Sequence, residues 1–271
     1  MGLVVRVVGP TRSLTLAGAV VAAVVSTSFG VASASAGAVP QSVAPTPRTG
    51  AYQLTIATLP DGTLVSPRWN PCQTITYRVN VAALAKSKRT KALRDIKAAV
   101  GKLSVATGVP YSYRGTTTYL PTAANWPDRA PAEMIISYAD PKVRKYSSTL
   151  LSYVGSQRAA GTGGFMYKAW GVAGTGKWTA AIGRGYVVLN SRSDAQLAPG
   201  FGKRLTRGNL VLHELAHAVG LTHVGSKSEL MYPTMGRYTP NGYQSGDRAG
   251  LSAVGRSAGC ISVPPFVWSE I

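Results

Sequence analysis

Apolar and polar residues change their period several times along the chain, and each change predicts an element. Residues 14–25 (LTLAGAVVAAVV) are apolar almost without a break. Residues 52–58 alternate apolar and polar, as a short strand does, and Pro60-Asp61-Gly62 is a turn signal. Residues 73–79 (QTITYRV) form a stronger strand candidate. The period then becomes helical over 87–107, where Leu93, Ile96, Val100 and Leu103 share one face and Gly108-Val109-Pro110 stops the helix. Residues 110–118 and 133–138 (EMIISY) are the next strands. Residues 155–176 are dense in glycine and resemble a long loop, with Phe165-Met166-Tyr167 a short strand candidate inside it. Residues 186–189 (YVVL) make a fully apolar strand. A helix is expected over about 205–219 and a last short one over 245–254, with Asp247 suited to its positive end. Strand, helix, strands, helix and helix, without an internal repeat, predict one α+β domain.

The first apolar run has a basic start (Arg6, Arg12) and a small-residue cleavage site, Ala34-Ser35-Ala36. About a dozen apolar residues are too few to cross a bilayer comfortably, so residues 1–36 are expected to be a secretory signal peptide, with a retained anchor the alternative. No other stretch is long and apolar enough to span a membrane. Residues 37–66 start with GAVPQSVAPTPRTG and are expected to be a flexible N-terminal segment, leaving 67–271 as the folded domain.

The chain carries 29 Lys and Arg against 10 Asp and Glu, a formal net charge of +19. Loss of Arg6 and Arg12 with the leader lowers it by two, to +17. A secreted protein this basic adheres to anionic surfaces such as cell-wall polymers, and the scattered charge implies no specific nucleic acid. Two cysteines, Cys72 and Cys260, suggest one disulfide in an oxidising compartment. The alternative is a Cys72 thiolate that blocks a metal.

The whole histidine supply, three residues, falls inside HELAHAVGLTH at 213–223. His213 and His217, four apart on a helix, sit one turn apart on one face and can reach one metal ion. Glu214 lies beside them and can accept a proton. Gly220 suits the left-handed turn that ends a helix. The returning chain then offers His223 as a third nitrogen. Three nitrogens leave one position of a tetrahedral zinc open, the pattern of a catalytic site. Glu229 is a rival third ligand, disfavoured because only twelve residues separate it from His217.

His213-Glu214-x-x-His217-x-x-Gly220-x-x-His223 resembles the metzincin zinc-binding motif. Leu230-Met231-Tyr232-Pro233 is similar to the Met-turn of the matrixin branch, and Ser245-Gly246-Asp247-Arg248-Ala249-Gly250-Leu251 to the start of its C-terminal helix. The match covers about 208–255. More loosely, RWNPCQTITYRVN around Cys72 is similar to secreted bacterial matrixin-like proteins. The resemblance implies a metzincin-like zincin domain: a twisted mixed sheet above a cleft, a long active-site helix and a C-terminal helix. It implies a monomeric, extracellular zinc endopeptidase with one catalytic Zn2+ held by His213, His217 and His223. Glu214 would be general base to a zinc-bound water, Met231 a support beneath the metal, and Pro233, Thr234 and Met235 the lining of the pocket for the residue after the scissile bond. A strand near Phe165 would pair with the extended polypeptide substrate. A second zinc and a calcium site are not expected, since no histidine is left over and acids are scarce. Neither is a cysteine switch recognisable, and Tyr232 is not assigned as a ligand. Two other readings remain open here: a basic cell-wall-associated binding protein with a structural or vestigial zinc, and a hydrolase of amide bonds in peptidoglycan.

Overall fold

The computed structural model describes residues 4–8, 52–126, 129–151, 153–154 and 157–264. Most of the expected signal peptide, and residues 37–51 of the N-terminal segment, lie outside these.

The fold is mixed α+β. Its main sheet runs in the order β10-β11-β7-β5-β6, with β1 added outside β10. These strands are β1 (Val4–Val8), β5 (Ile75–Asn80), β6 (Tyr111–Thr116), β7 (Met134–Ala139), β10 (Gly161–Gly171) and β11 (Trp178–Asn190). β11, β7, β5 and β6 run parallel to one another, while β10 is antiparallel to β11 and β1 antiparallel to β10. Short pairs complete the strands. β2 (Gln53–Leu54) pairs with β12 (Leu221–Thr222), β3 (Ala57–Thr58) with β4 (Leu64–Val65), and β8 (Tyr153–Val154) with β9 (Gln157–Arg158).

Among the described residues there are three α-helices: α1 (Lys86–Thr107), α2 (Arg207–Ala218) and α3 (Ser245–Ala253). α1 follows its predicted period closely. It buries Ile96, Val100 and Leu103, and Gly108 ends it at φ 68°, in the left-handed region. Each of those side chains contributes about 1.5–3 kcal/mol by leaving water. Alternation along β7 divides the core. Met134, Ile136 and Tyr138 face the cluster shared with all three helices, whereas Ile135 joins Trp126, Leu151, Tyr186 and Val188 on the other side.

Two expectations change. The folded domain begins by residue 53 rather than at 67: β2 pairs with β12, and Ala57 and Leu59 are buried in the core. The glycine-rich stretch 155–176 is mainly a strand of eleven residues, not a loop. Two of its glycines, Gly161 and Gly163, face a helix that passes close by. Cys72 and Cys260 form a disulfide with Cα atoms 5.5 Å apart, and no cysteine is free among the described residues. That removes the thiolate alternative and ties the start of β5 to the chain beyond α3.

Candidate metal centre

α2 carries the site. Thr206 caps its start by accepting from Asn209 N–H at 3.3 Å. Arg207 in the first turn is unfavourable for the helix dipole. It is balanced by two buried carboxylates, Asp194 (2.7 Å) and Asp95 (2.8 Å). This pairing fixes α2 to α1 and to the segment after β11. At the other end Gly220 takes φ 111°, and β12 then leads to His223.

The imidazoles are fixed through their outer nitrogens. His213 Nδ1 lies 2.8 Å from the carbonyl oxygen of Leu230, and His217 Nδ1 2.8 Å from that of Leu221. A carbonyl only accepts, so each Nδ1 carries the proton and each Nε2 is left with a lone pair. Both Nε2 atoms lie 3.1 Å from Nε2 of His223. His223 can hold one proton there and so can satisfy only one of the two lone pairs. A cation among the three nitrogens satisfies all of them. Ligands 2.0–2.1 Å from a tetrahedral ion lie about 3.3 Å apart, close to the spacing here. Burial pushes the His213 imidazole down to about 4, aided by its neighbour His223, and holds His217 and His223 down as well. All three are therefore neutral at neutral pH, the form able to ligate a metal. The set fits one metal ion, although imidazole suits zinc, copper, iron and nickel alike.

Glu214 projects from the same turn of α2 and is 5% exposed. Burial pushes its carboxyl up to about 8, against a hydrogen bond donated by the Gly163 N–H. β10 crosses directly over it. A Cβ on Gly161 would lie 2.8 Å from Cγ and Oε1 of Glu214, and one on Gly163 only 1.9 Å from the Glu214 backbone oxygen. Only glycine lets strand and helix approach this closely. Sequence reasoning missed both residues, although their signal, GTGG, was visible as a glycine cluster.

Behind the site, the chain from 224 to 231 closes on itself. Val224 N–H donates to the Met231 carbonyl at 3.0 Å, and Met231 is fully buried. Asp247 holds this turn, accepting from Leu230 N–H at 2.7 Å and Met231 N–H at 3.1 Å, while Gln244 and Asp247 form a capping box for α3. Burial raises the Asp247 carboxyl against these donors, and the Glu229 carboxylate adds to the rise. Glu229, the rival ligand, accepts from Asp247 N–H at 2.9 Å and stands outside the histidine cluster. Thr234 and Met235 line a pocket of about 260 Å³ with Leu230, Tyr232, Arg237 and Tyr238, whereas Pro233 is exposed and is not among its lining residues.

No protein-family model matches the chain, and no curated protein matches it.

Proposed function

We propose that the chain is a secreted zinc-dependent endopeptidase of the metzincin type, closest to the matrixin branch. The observation that carries this reading is the convergence of three neutral imidazole nitrogens, two with tautomers fixed by backbone carbonyls, beside a buried carboxylate on the same helix. Three ligands with an open position is the catalytic rather than the structural pattern. Zinc bound there would supply a Lewis acid for a peptide carbonyl and lower the pKa of a bound water towards neutrality.

The chain's own residues do the rest. In the ionised form that a neighbouring cation favours, against the burial that raises its pKa to about 8, Glu214 takes the proton of the attacking water and returns it to the leaving amine. Its buried position keeps water from competing for that proton, and the Gly163 N–H holds the carboxylate against β10. The outer edge of β10 accepts an extended antiparallel strand over Phe165–Ala169, where β1 lies in this structure. With the leader removed, that edge would serve a substrate backbone. Thr234 and Met235 then line the neighbouring side-chain pocket.

The test is Glu214→Gln. The variant is expected to bind one zinc per chain, as the wild type does, and to lose nearly all chelator-sensitive cleavage of casein. Cleavage at the wild-type rate would exclude this mechanism. Zinc binding by the wild type without turnover of any peptide would favour a binding module instead.

A further inference from the structure

Charge in this protein is sorted by depth. Five of its acids, Asp95, Asp194, Glu214, Glu229 and Asp247, are buried. Among the described residues Asp61 alone of the acids is exposed, and it sits in the β3–β4 turn. A solvated face normally interleaves both signs, and here the exposed bases have almost no partners of opposite sign.

The sorting is most marked on α1. Seven of its 22 residues are basic, and five of them (Lys86, Lys91, Arg94, Lys97 and Lys102) are exposed. At 100° per residue they fall within an arc of roughly 160°, opposite the face that buries Ile96 and Leu103, and they span about 24 Å. Of the five, Arg94 has a carboxylate within ion-pair distance, Asp95 at 3.9 Å, and that carboxylate is already held by Arg207 at 2.8 Å. The arrangement works against the helix. Its first turn has no acidic residue and no side-chain cap, and Lys91, Arg94 and Lys97 repeat like charge at i, i+3. Arg248 and Lys102 flank a groove of about 850 Å³ between α1 and α3, which continues the basic face sideways.

We propose that this face of α1 is a docking ridge for a linear polyphosphate. A band of cations running along one side of a helix fits a linear chain of regularly spaced charges. Nucleic acid fits less well. The aromatic faces beside the ridge, Tyr113 and Phe201, already lie under Lys97 and Lys102 at 4.9 and 5.0 Å, and so offer no stacking platform for bases. A bilayer fits less well too, because Val105 is the one large apolar side chain exposed on the helix. The ridge does not depend on the metal centre: it would hold the protein on an anionic polymer whether or not the site hydrolyses peptides.

Long-chain polyphosphate is the probe, with binding followed by fluorescence anisotropy of the full-length protein between 0.05 and about 0.3 M salt. The triple variant Lys91→Ala, Arg94→Ala, Lys102→Ala is compared with a control that removes equal charge elsewhere, Lys142→Ala, Arg144→Ala, Lys145→Ala. Each lost contact should lower the slope of log K against log salt by about 0.7–0.9, so the ridge variant should lose about 2–3 units of slope and bind about fiftyfold more weakly at 0.15 M salt. The control should change binding less than about threefold. The charge-retaining variant Lys91→Arg, Arg94→Lys, Lys102→Arg should bind like wild type, which separates lost contact from lost fold. Equal losses in both triple variants would overturn the ridge. Tenfold tighter binding to oligo-thymidine or to anionic vesicles than to polyphosphate would overturn the proposed partner.

Discussion

Gly161 and Gly163 face the same helix turn but meet different atoms, and this separates catalysis from stability. At Gly161 an added Cβ would stand 2.8 Å from Cγ and Oε1 of Glu214 and 3.0 Å from Cδ. Carbon atoms prefer about 3.5–4.0 Å, so the carboxylate must retreat by roughly an ångström. Its backbone need not move. A displacement of that size costs a catalytic group on the order of 100-fold, or about 2.7 kcal/mol in the barrier. Gly161→Ala should therefore fold, melt within a few degrees of wild type and bind metal one to one, while kcat/KM for a fluorogenic peptide falls about 100-fold. At Gly163 the added Cβ would meet fixed atoms: the Glu214 oxygen at 1.9 Å, its carbonyl carbon at 2.7 Å and His217 Cβ at 3.0 Å. Helix and strand must separate there. Gly163→Ala should cost about 3 kcal/mol or more, lowering the melting temperature by roughly 10 °C, with metal affinity lost in parallel. Full activity in Gly161→Ala, or wild-type stability in Gly163→Ala, would refute this account of the strand–helix contact.

Further expectations concern the scaffold. Arg207→Met leaves Asp95 and Asp194 buried beside an apolar chain and should cost about 3–5 kcal/mol in urea unfolding. Burial pushes the Asp194 carboxyl up, but the hydrogen bonds and charge of Arg207 and Lys88 outweigh it, so the folded pKa lies below the ordinary 3.8. Its contribution is then fully present above about pH 4 and is lost as pH falls through the folded value; Asp194→Asn should flatten stability against pH in that acid window. Reduction of Cys72–Cys260, which are 188 residues apart, should lower stability by about 5 kcal/mol on the chain-entropy estimate, measured as a shift in denaturant midpoint with and without reductant.

Elements whose apolar period is set by local packing were legible in the sequence. α1 is the clearest case, since its buried residues and its Gly108 stop follow from the 3.6-residue period alone. The three histidines were legible for a different reason: a rare residue at fixed spacing carries its own geometry. β10 was not legible. Glycine ordinarily punctuates strands, and nothing within residues 161–171 announces that a helix 50 residues later will press against them. The same limit hid the role of Arg207. Its partners Asp95 and Asp194 are 112 and 13 residues away, and a lone arginine at a helix start suggests solvent rather than a buried ion pair. Residues 53–65 were legible in part: the alternation over 52–58 and the turn at Pro60-Asp61-Gly62 agree with β2, β3 and the turn to β4, but the start of the folded chain was hidden, because β2 is held by β12 far along the sequence.

One peptide unit links the C-terminal helix to the metal centre. In the Leu230–Met231 peptide the Met231 N–H donates to Asp247 Oδ1 at 3.1 Å, and the Leu230 carbonyl receives His213 Nδ1 at 2.8 Å. Asp247 thus sets the orientation of the group that fixes the His213 tautomer, with the Leu230 N–H on its other oxygen at 2.7 Å. Asp247→Asn turns one acceptor oxygen into an N–H donor. In either orientation the new amide faces a backbone N–H, so a buried donor is left unsatisfied at a cost of about 1–3 kcal/mol. Rotation of the Leu230–Met231 peptide to relieve it weakens the hold on His213, and outer-shell losses of this kind reduce metal affinity about 10- to 100-fold. Glu229→Gln is the matched control. Glu229 accepts from Asp247 N–H alone, a bond that a glutamine oxygen can keep. Competition with a chromogenic chelator should show weak zinc binding by Asp247→Asn and ordinary binding by Glu229→Gln. Unchanged affinity in the first would break the proposed link through Leu230. A large loss in the second would make Glu229, and not His223 alone, part of the ligand set.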